Sequence, residues 1–261
     1  MQIWMHVVLF GVTGLAIYLG IYHGVPWLLR RNVPLLVAFF LFLWLPVMPL
    51  LPLSLYLYAT VEGGQLSLAE VAQRFRLTPI QGREWLWVGA AVLVTALADE
   101  LLQPIGKALA RHRLFAPPSW LPAPFNPLAD LRLPPVDFMG ARLKGNWALL
   151  LAFIPLHLLA MLSEEMMWRG YLLPLQIEAL GGWAWVFNGL LWAWLVHAVL
   201  KWHLIGMLPG MLAAPLVAQY TQSTTASLIA HVVPNALLWV LLLLGVLGVR
   251  HRAAEPDERT A

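Results

Sequence analysis

The stretch NWALLLAFIPLHLLAMLSEEMMWRG, residues 146–170, does most to decide the fold. Apart from Asn146 and His157 it is apolar up to Leu162, and it approaches the length of about 20 residues that a helix needs to cross a bilayer. Two glutamates and an arginine follow directly in the same run. The stretch therefore predicts a membrane-spanning helix that carries charged groups towards one end.

Composition extends this prediction to the rest of the chain. Of its 261 residues, 61% are hydrophobic and 11% are charged, whereas soluble domains carry about 25% charged residues. A soluble protein of this length could not bury so much apolar surface, so lipid is the expected solvent. The net charge of +3 comes without a dense Lys/Arg run, and we expect no nucleic-acid partner. Because the chain has no cysteine, disulfides, thiolate metal sites and cysteine nucleophiles are excluded.

The predicted fold class is all-α: a polytopic transmembrane helix bundle of about seven spans, within a range of about six to eight, forming a single integral membrane domain over residues 1–261. Prolines 46, 49 and 52 should bend or divide the second span. Asp99 and Glu100 are expected at the membrane interface, near the end of the third. The predicted spans lie at about 3–22, 34–59, 85–102, 146–176, 183–201, 203–220 and 224–248.

Two polar segments interrupt the spans. Ser67 and Glu70 have capping-box spacing, and Leu68, Val71, Ala72 and Phe75 share one helical face; this predicts either a short amphipathic helix on the membrane or an ordinary loop helix. Residues 107–145 are polar and rich in proline, which predicts an extended loop and not a packed domain.

Basic residues between spans predict the orientation. With seven spans the termini lie on opposite sides. The 23–33 turn, the 107–145 loop with Arg132, Lys201 and the tail with Arg250 and Arg252 then share one side, which outweighs Arg74, Arg76 and Arg83 on the other. Because positively charged loops favour the cytoplasm, we expect a cytoplasmic C-terminus.

Charged groups inside a span are costly, and are functional candidates for that reason. Glu165 and Arg169 stand at i and i+4, the favourable order for an ion pair on a helix. Glu164 points about 100° away and is left without a local partner, which makes it a candidate general base. A helix-stabilising ion pair is the simpler structural alternative.

Three further polar residues lie in the later spans. His231 and Asn235 share one helical face, and Pro234 between them should leave a bend and a free carbonyl. We predict that Glu164 takes a proton from water, that His231 and Asn235 hydrogen-bond an oxyanion, and that His197 orients the water. Such a set would hydrolyse an amide without a serine or cysteine nucleophile.

These residues resemble a known family. Glu164-Glu165…Arg169, then His197, then His231…Asn235 are similar to the EExxxR, FxxxH and HxxxN motifs of the CPBP family, which comprises the CAAX prenyl endopeptidases and the bacterial Abi-type proteins. The resemblance covers about residues 146–240, the expected catalytic core helices. It departs from the family at Ala193, where a phenylalanine is usual, although Trp192 and Trp194 flank that position.

The resemblance implies an intramembrane endopeptidase in which Glu164 activates water and His231 and Asn235 form the oxyanion site, with Glu165 and Arg169 in support. It implies membrane lipid and a membrane-associated peptide or protein as partners, and a bacterial inner membrane as the location. The family is often labelled a metalloprotease, yet HExxH is absent; we favour no metal and no cofactor, the alternative being zinc held by Glu164, His197 and His231.

Two other classes of function stay open. One is a catalytically silent membrane scaffold, and the other is a proton-coupled transporter in which the same acid and histidines relay protons. His157 lies seven residues before Glu164 and so shares its helical face; we expect it to make a buried polar contact and not to serve the acid directly.

Overall fold

The computed structural model of the chain describes residues 2–129 and 133–249. Arg132, Arg250 and Arg252, on which the predicted orientation partly rests, lie outside the described residues. The helices are α1 (Ile3–Leu19), α2 (Val25–Leu29), α3 (Leu35–Trp44), α4 (Leu50–Val61), α5 (Leu68–Arg74), α6 (Glu84–Arg111), α7 (Trp147–Glu165), α8 (Leu173–Leu180), α9 (Ala184–Leu191), α10 (Leu208–Thr221) and α11 (Thr224–Val246). A hairpin of β1 (Asp137–Phe138) and β2 (Ala141–Arg142) completes the set.

The predicted all-α polytopic bundle is confirmed, but the spans are built less uniformly than expected. Among the described residues, 4 helical runs are long and apolar enough to cross a membrane: Ile3–Leu29, Glu84–Arg111, Trp147–Val196 and Thr224–Val246. The expected second span is divided into α3 and α4 by a turn that contains Pro46 and Pro49. The expected sixth span reduces to α10, whose 14 residues are short for a full crossing.

The longest run, Trp147–Val196, folds back on itself. The Asn188 side chain donates to the carbonyl of Trp168 over 2.9 Å, whereas twenty residues of straight helix would separate them by about 30 Å. The reversal occurs at Gly181, whose φ of +56° favours glycine. Residues expected as the fourth and fifth spans are therefore antiparallel neighbours, and the first of them runs well past Glu164, to Leu180.

Helix α6 is longer than predicted. The residues after Leu102 are too polar to be recognised as part of a span, yet they continue the helix to Arg111. Asp99 and Glu100 consequently lie in the middle part of a 28-residue helix and not near its end. Both side chains are exposed at the protein surface. The helix packs against α10 and α11.

The short helix α5 is present, and Ser67 caps it by accepting the backbone N–H of Glu70 over 3.3 Å. The segment does not lie apart from the bundle. Phe75, directly after the helix, is fully buried, and its ring lies 6.3 Å from that of Tyr171. This docking anchors the segment to the helical run that follows Glu165.

The prediction that residues 107–145 form only an extended, unpacked loop is wrong for the described part of that segment. Its first residues belong to α6, and Leu121, Phe138 and Leu143 are buried in the main hydrophobic core. Near its end, the Gly145 N–H donates to the carbonyl of Val246 over 2.9 Å. The proline-rich segment thus packs onto the bundle, because its scattered apolar side chains are buried in the core.

Candidate active site

Glu165 is the centre of a buried polar cluster. Its carboxylate lies 3.1 Å from the Arg169 guanidinium and 3.0 Å from His231 Nδ1, and it accepts the Ser227 hydroxyl over 2.7 Å. The ion pair expected from the i, i+4 spacing is therefore present. Because Ser227 and His231 both belong to α11, this single carboxylate ties α7 to α11 and orients the imidazole.

Arg169 is also fully buried. Its guanidinium lies 3.7 Å from the centroid of the Trp192 ring, in the range of a cation–π contact. Among the described residues its N–H groups find no hydrogen-bond acceptor in good geometry. The Arg169 cation is therefore held by charge attraction to Glu165 and by the face of the Trp192 indole. It does not form a bidentate hydrogen bond with the carboxylate.

Glu164 points to a different neighbour, as the 100° step on a helix requires. The Trp192 indole N–H donates to its Oε1 over 3.0 Å. The side chain is 7% exposed, and it borders a cavity that Glu165 does not reach. The two adjacent acids thus differ: Glu165 is enclosed by partners, whereas Glu164 has one donor and faces open space.

His197 follows a π-helical segment, Trp192–Val196. Its backbone N–H donates to the Trp192 carbonyl over 3.1 Å, five residues back, and its Nδ1 lies 3.2 Å from the same oxygen. A π-turn brings residues five apart onto one face. Trp192 therefore lies over His197, with ring centroids 5.3 Å apart.

This π-turn accounts for the departure at Ala193. An α-turn would place the residue four before His197 beside it, but here the residue five before takes that position. Trp192 is therefore the aromatic residue beside His197, and its ring also lies 4.9 Å from the His231 ring. Trp194, the other flanking aromatic residue, is exposed and takes no part.

Asn235 lies one turn after His231, and its amide donates to the His231 carbonyl over 2.9 Å. Its second N–H has no partner within the described part of the chain. Both side chains border the same space as Glu164.

A cavity of about 290 Å³ brings these groups together. Glu164, His197, His231 and Asn235 all line it, although they come from α7, the end of the α9 run and α11. Aromatic residues form much of the remaining lining: Phe40, Trp44, Phe125 and Phe153. Glu165 and Arg169 lie behind the lining. The structure thus places the four residues predicted as catalytic at one site and the two predicted as supporting next to it.

His157 lines the same cavity. The Trp239 indole N–H donates to its Nδ1 over 3.1 Å, so the ring proton of the neutral imidazole is on Nε2. The rings of Trp44 and Phe153 lie 5.8 Å and 5.4 Å away. This is the buried polar contact expected from the sequence.

The zinc alternative would need Glu164, His197 and His231 to converge on one metal ion. Within residues 2–129 and 133–249, no three His, Cys, Asp or Glu side chains are grouped so that they could hold a metal ion. His231 Nδ1 and His197 Nδ1 face Glu165 and a backbone carbonyl respectively.

A second π-helical segment, Met166–Leu172, follows the two acids. Pro174 has no N–H. It therefore cannot donate an α-helical hydrogen bond to the Gly170 carbonyl or a π-helical one to the Arg169 carbonyl. Arg74 donates to Gly170 over 3.0 Å and Arg76 to Arg169 over 2.8 Å.

These two arginines and Asn188 therefore satisfy three consecutive carbonyls, those of residues 168–170. Burial lowers the pKa of Arg76 to about 10, with a smaller contribution from Arg74, so its guanidinium stays charged at neutral pH.

Sequence reasoning missed Ser227 and underrated Trp192. Ser227 stands four residues before His231 and eight before Asn235, so its helical face was available as a signal. The role of Trp192 depends on a π-turn, and the sequence carries no recognisable signal for one. The contacts of Arg74 and Arg76 join segments more than ninety residues apart, and only the folded chain shows them.

The fold and this cavity define a polytopic integral membrane protein with acids, imidazoles and an amide gathered inside its helix bundle. Residues 146–237 match the family model described as type II CAAX prenyl endopeptidase Rce1-like. The match confirms the resemblance to the CAAX prenyl endopeptidases and supports a CAAX-type intramembrane endopeptidase in general. No curated protein and no solved structure matches the chain.

Proposed function

We propose that this protein is an intramembrane endopeptidase that hydrolyses a peptide bond in a prenylated or transmembrane substrate. The observation that carries the proposal is the convergence of Glu164, His197, His231 and Asn235 on one cavity. An acid, two imidazoles and an amide are the groups that water activation and oxyanion binding require.

In the proposed reaction the Glu164 carboxylate takes a proton from a water molecule, and the resulting hydroxide attacks the scissile carbonyl carbon. The carbonyl oxygen becomes an oxyanion that accepts from the Asn235 amide and from His231 Nε2. The C–N bond then breaks, and Glu164 returns its proton to the leaving amine. His197 orients the water from the opposite side of the site.

Charge balance supports the assignment of His231. Glu164 and Glu165 carry two negative charges, and Arg169 offsets one of them. The proposed reaction requires a proton on each ring nitrogen of His231, because Nδ1 lies 3.0 Å from Glu165 and Nε2 is to donate to the oxyanion. That cation would offset the second charge. A neutral cluster is favoured in a low-dielectric interior because isolated charge is costly there.

A second surface feature supports a substrate with an apolar part in the membrane. An apolar groove of about 1080 Å³ lies between α3 and α7. Phe40, Trp44 and Phe153 line both this groove and the cavity. A lipid-soluble chain seated in the groove would therefore lie next to the site, with these three aromatic side chains between them.

The test is an assay of purified protein against prenylated and transmembrane peptides. We expect Glu164→Gln to lower the rate about 10²–10⁴-fold, the usual contribution of a general base, and Glu178→Gln, at an exposed position of α8, to leave it unchanged. Equal cleavage by Glu164→Gln and wild type would refute the mechanism. A chelator should not alter the rate, because the proposed reaction uses no metal.

The two other classes give different results in the same preparations. A silent scaffold cleaves none of the peptides, and a transporter moves protons in liposomes. A protein that cleaves nothing but shows proton flux dependent on Glu164 would replace the endopeptidase proposal with the transporter.

A further inference from the structure

A second cavity, of about 240 Å³, shares His231 and Asn235 with the first. Trp192 lines it as well, whereas Glu164 borders only the first cavity. The remaining walls come from α6, from α10 with the residues before it, and from α11. Two separate spaces therefore reach the same imidazole and amide, and the proposed reaction uses only one of them.

The walls of this second cavity are small and partly polar. Thr95 and Gly210 approach closely, since a Cβ added to Gly210 would lie 3.0 Å from Thr95 Cγ2. Pro234 and Ala230 also line the space. Because Pro234 has no N–H, the Ala230 carbonyl lacks its α-helical donor there, and a carbonyl of this kind needs a partner such as water.

Asp99 provides the strongest indication of what fills the space. It lines the cavity, its side chain is exposed, and it belongs to the middle part of α6. An ionisable residue within a transmembrane helix faces either a partner or a water-filled cavity. His203 lies close enough to interact with the charge of Asp99, but the exposed carboxylate has no hydrogen bond or ion pair among the described residues and lies beside a small-walled space, which indicates water.

We propose that this second cavity supplies water to the site. Water enters past Asp99 and Thr95 and reaches His231 and Asn235, where it passes into the cavity that contains Glu164. Hydrolysis consumes one water molecule for each bond, and an apolar substrate seated against the aromatic wall would exclude water from that side. The purpose of this water route rests on the proposed function. The first test of the route does not depend on that function.

The first test uses the absence of cysteine from the chain. Thr95→Cys places one thiol in the cavity, and Leu93→Cys places one on the exposed surface of the same helix. In nanodiscs a reagent reaches both sides of the membrane. A membrane-impermeant charged thiol reagent should label Thr95→Cys and leave Leu93→Cys largely unlabelled. Failure to label Thr95→Cys, while a lipid-soluble maleimide still labels it, would overturn the proposal.

The second test blocks the cavity. Gly206 lines it, and a Cβ added there meets nothing nearer than 3.7 Å, so Gly206→Leu fills space without backbone strain. We expect kcat to fall about tenfold with KM unchanged, whereas Gly89→Leu, on the open surface of α6, changes neither. Unaltered kcat in Gly206→Leu would contradict the water route.

The two tests separate this inference from the proposed function. If wild type cleaves no peptide, the endopeptidase proposal fails, and thiol labelling still decides whether the cavity holds water. If wild type cleaves but Thr95→Cys resists the impermeant reagent, only the water route fails.

Discussion

At the scale of single residues, Trp192 connects more of the site than any residue predicted from the sequence. Its indole N–H donates to Glu164, its face covers Arg169, and its edges meet His197 and His231. A phenylalanine would keep an aromatic ring at this position, but it would lose the donor and part of the buried contact area. The hydrogen bond is therefore the part of Trp192 that acts on the proposed base.

We predict that Trp192→Phe lowers kcat about tenfold or more with KM near that of wild type, and that it lowers the unfolding temperature by a few degrees because the smaller ring leaves a cavity. A hydrogen bond to a charged group contributes about 1.5–3 kcal/mol, and 1.36 kcal/mol is a factor of ten in rate. Steady-state kinetics and thermal unfolding in detergent measure both effects. Trp194→Phe, at an exposed tryptophan two residues away, is the matched control, and a kcat equal to wild type in Trp192→Phe would show that the donor is not used.

At the scale of elements, the π-helical segment Met166–Leu172 depends on hydrogen bonds from side chains outside its own helix. Pro174 removes a helical donor, and Arg74 and Arg76 replace it from the segment around α5. A buried carbonyl left without a donor destabilises the fold by about 1–3 kcal/mol. The short polar segment between α4 and α6 therefore stabilises the helical run that carries Glu164 and Glu165.

We predict that Arg76→Met lowers the unfolding temperature by several degrees, and that Arg83→Met, at an exposed arginine, does not. Pro174→Ala restores an N–H near the same carbonyls, so the loss caused by Arg76→Met should be smaller in that background. Such non-additivity is the expected signature of residues that share a partner. Strictly additive losses in the double variant would show that Arg76 acts elsewhere.

At the scale of the whole molecule, we propose that the termini lie on opposite sides of the membrane, with the C-terminus in the cytoplasm. Basic segments favour that side. A fluorescent protein fused after Ala261 should therefore fluoresce, and alkaline phosphatase fused there should be inactive. The reverse pattern would overturn the orientation, and a fusion before residue 1 that reports the same side would show an even number of crossings.

Composition determined the membrane class, because 11% charged residues leave too little polar surface for a soluble domain. Spacing determined the pair Glu165 and Arg169 and the shared face of His231 and Asn235, because an α-helix repeats every 3.6 residues. Such features are local, and a helix expresses them wherever it lies in the fold.

Only the tertiary structure decided which residues meet across helices. The return of the chain at Gly181, the π-turn that places Trp192 over His197, the docking of Arg74 and Arg76, and the continuation of α6 past Asp99 are not local properties. Each depends on packing between distant segments, which overrides the helical period or the hydropathy of the segment itself. For that reason the sequence named the acid, the imidazoles and the amide, whereas only the fold showed which side chains orient them and which cavities they line.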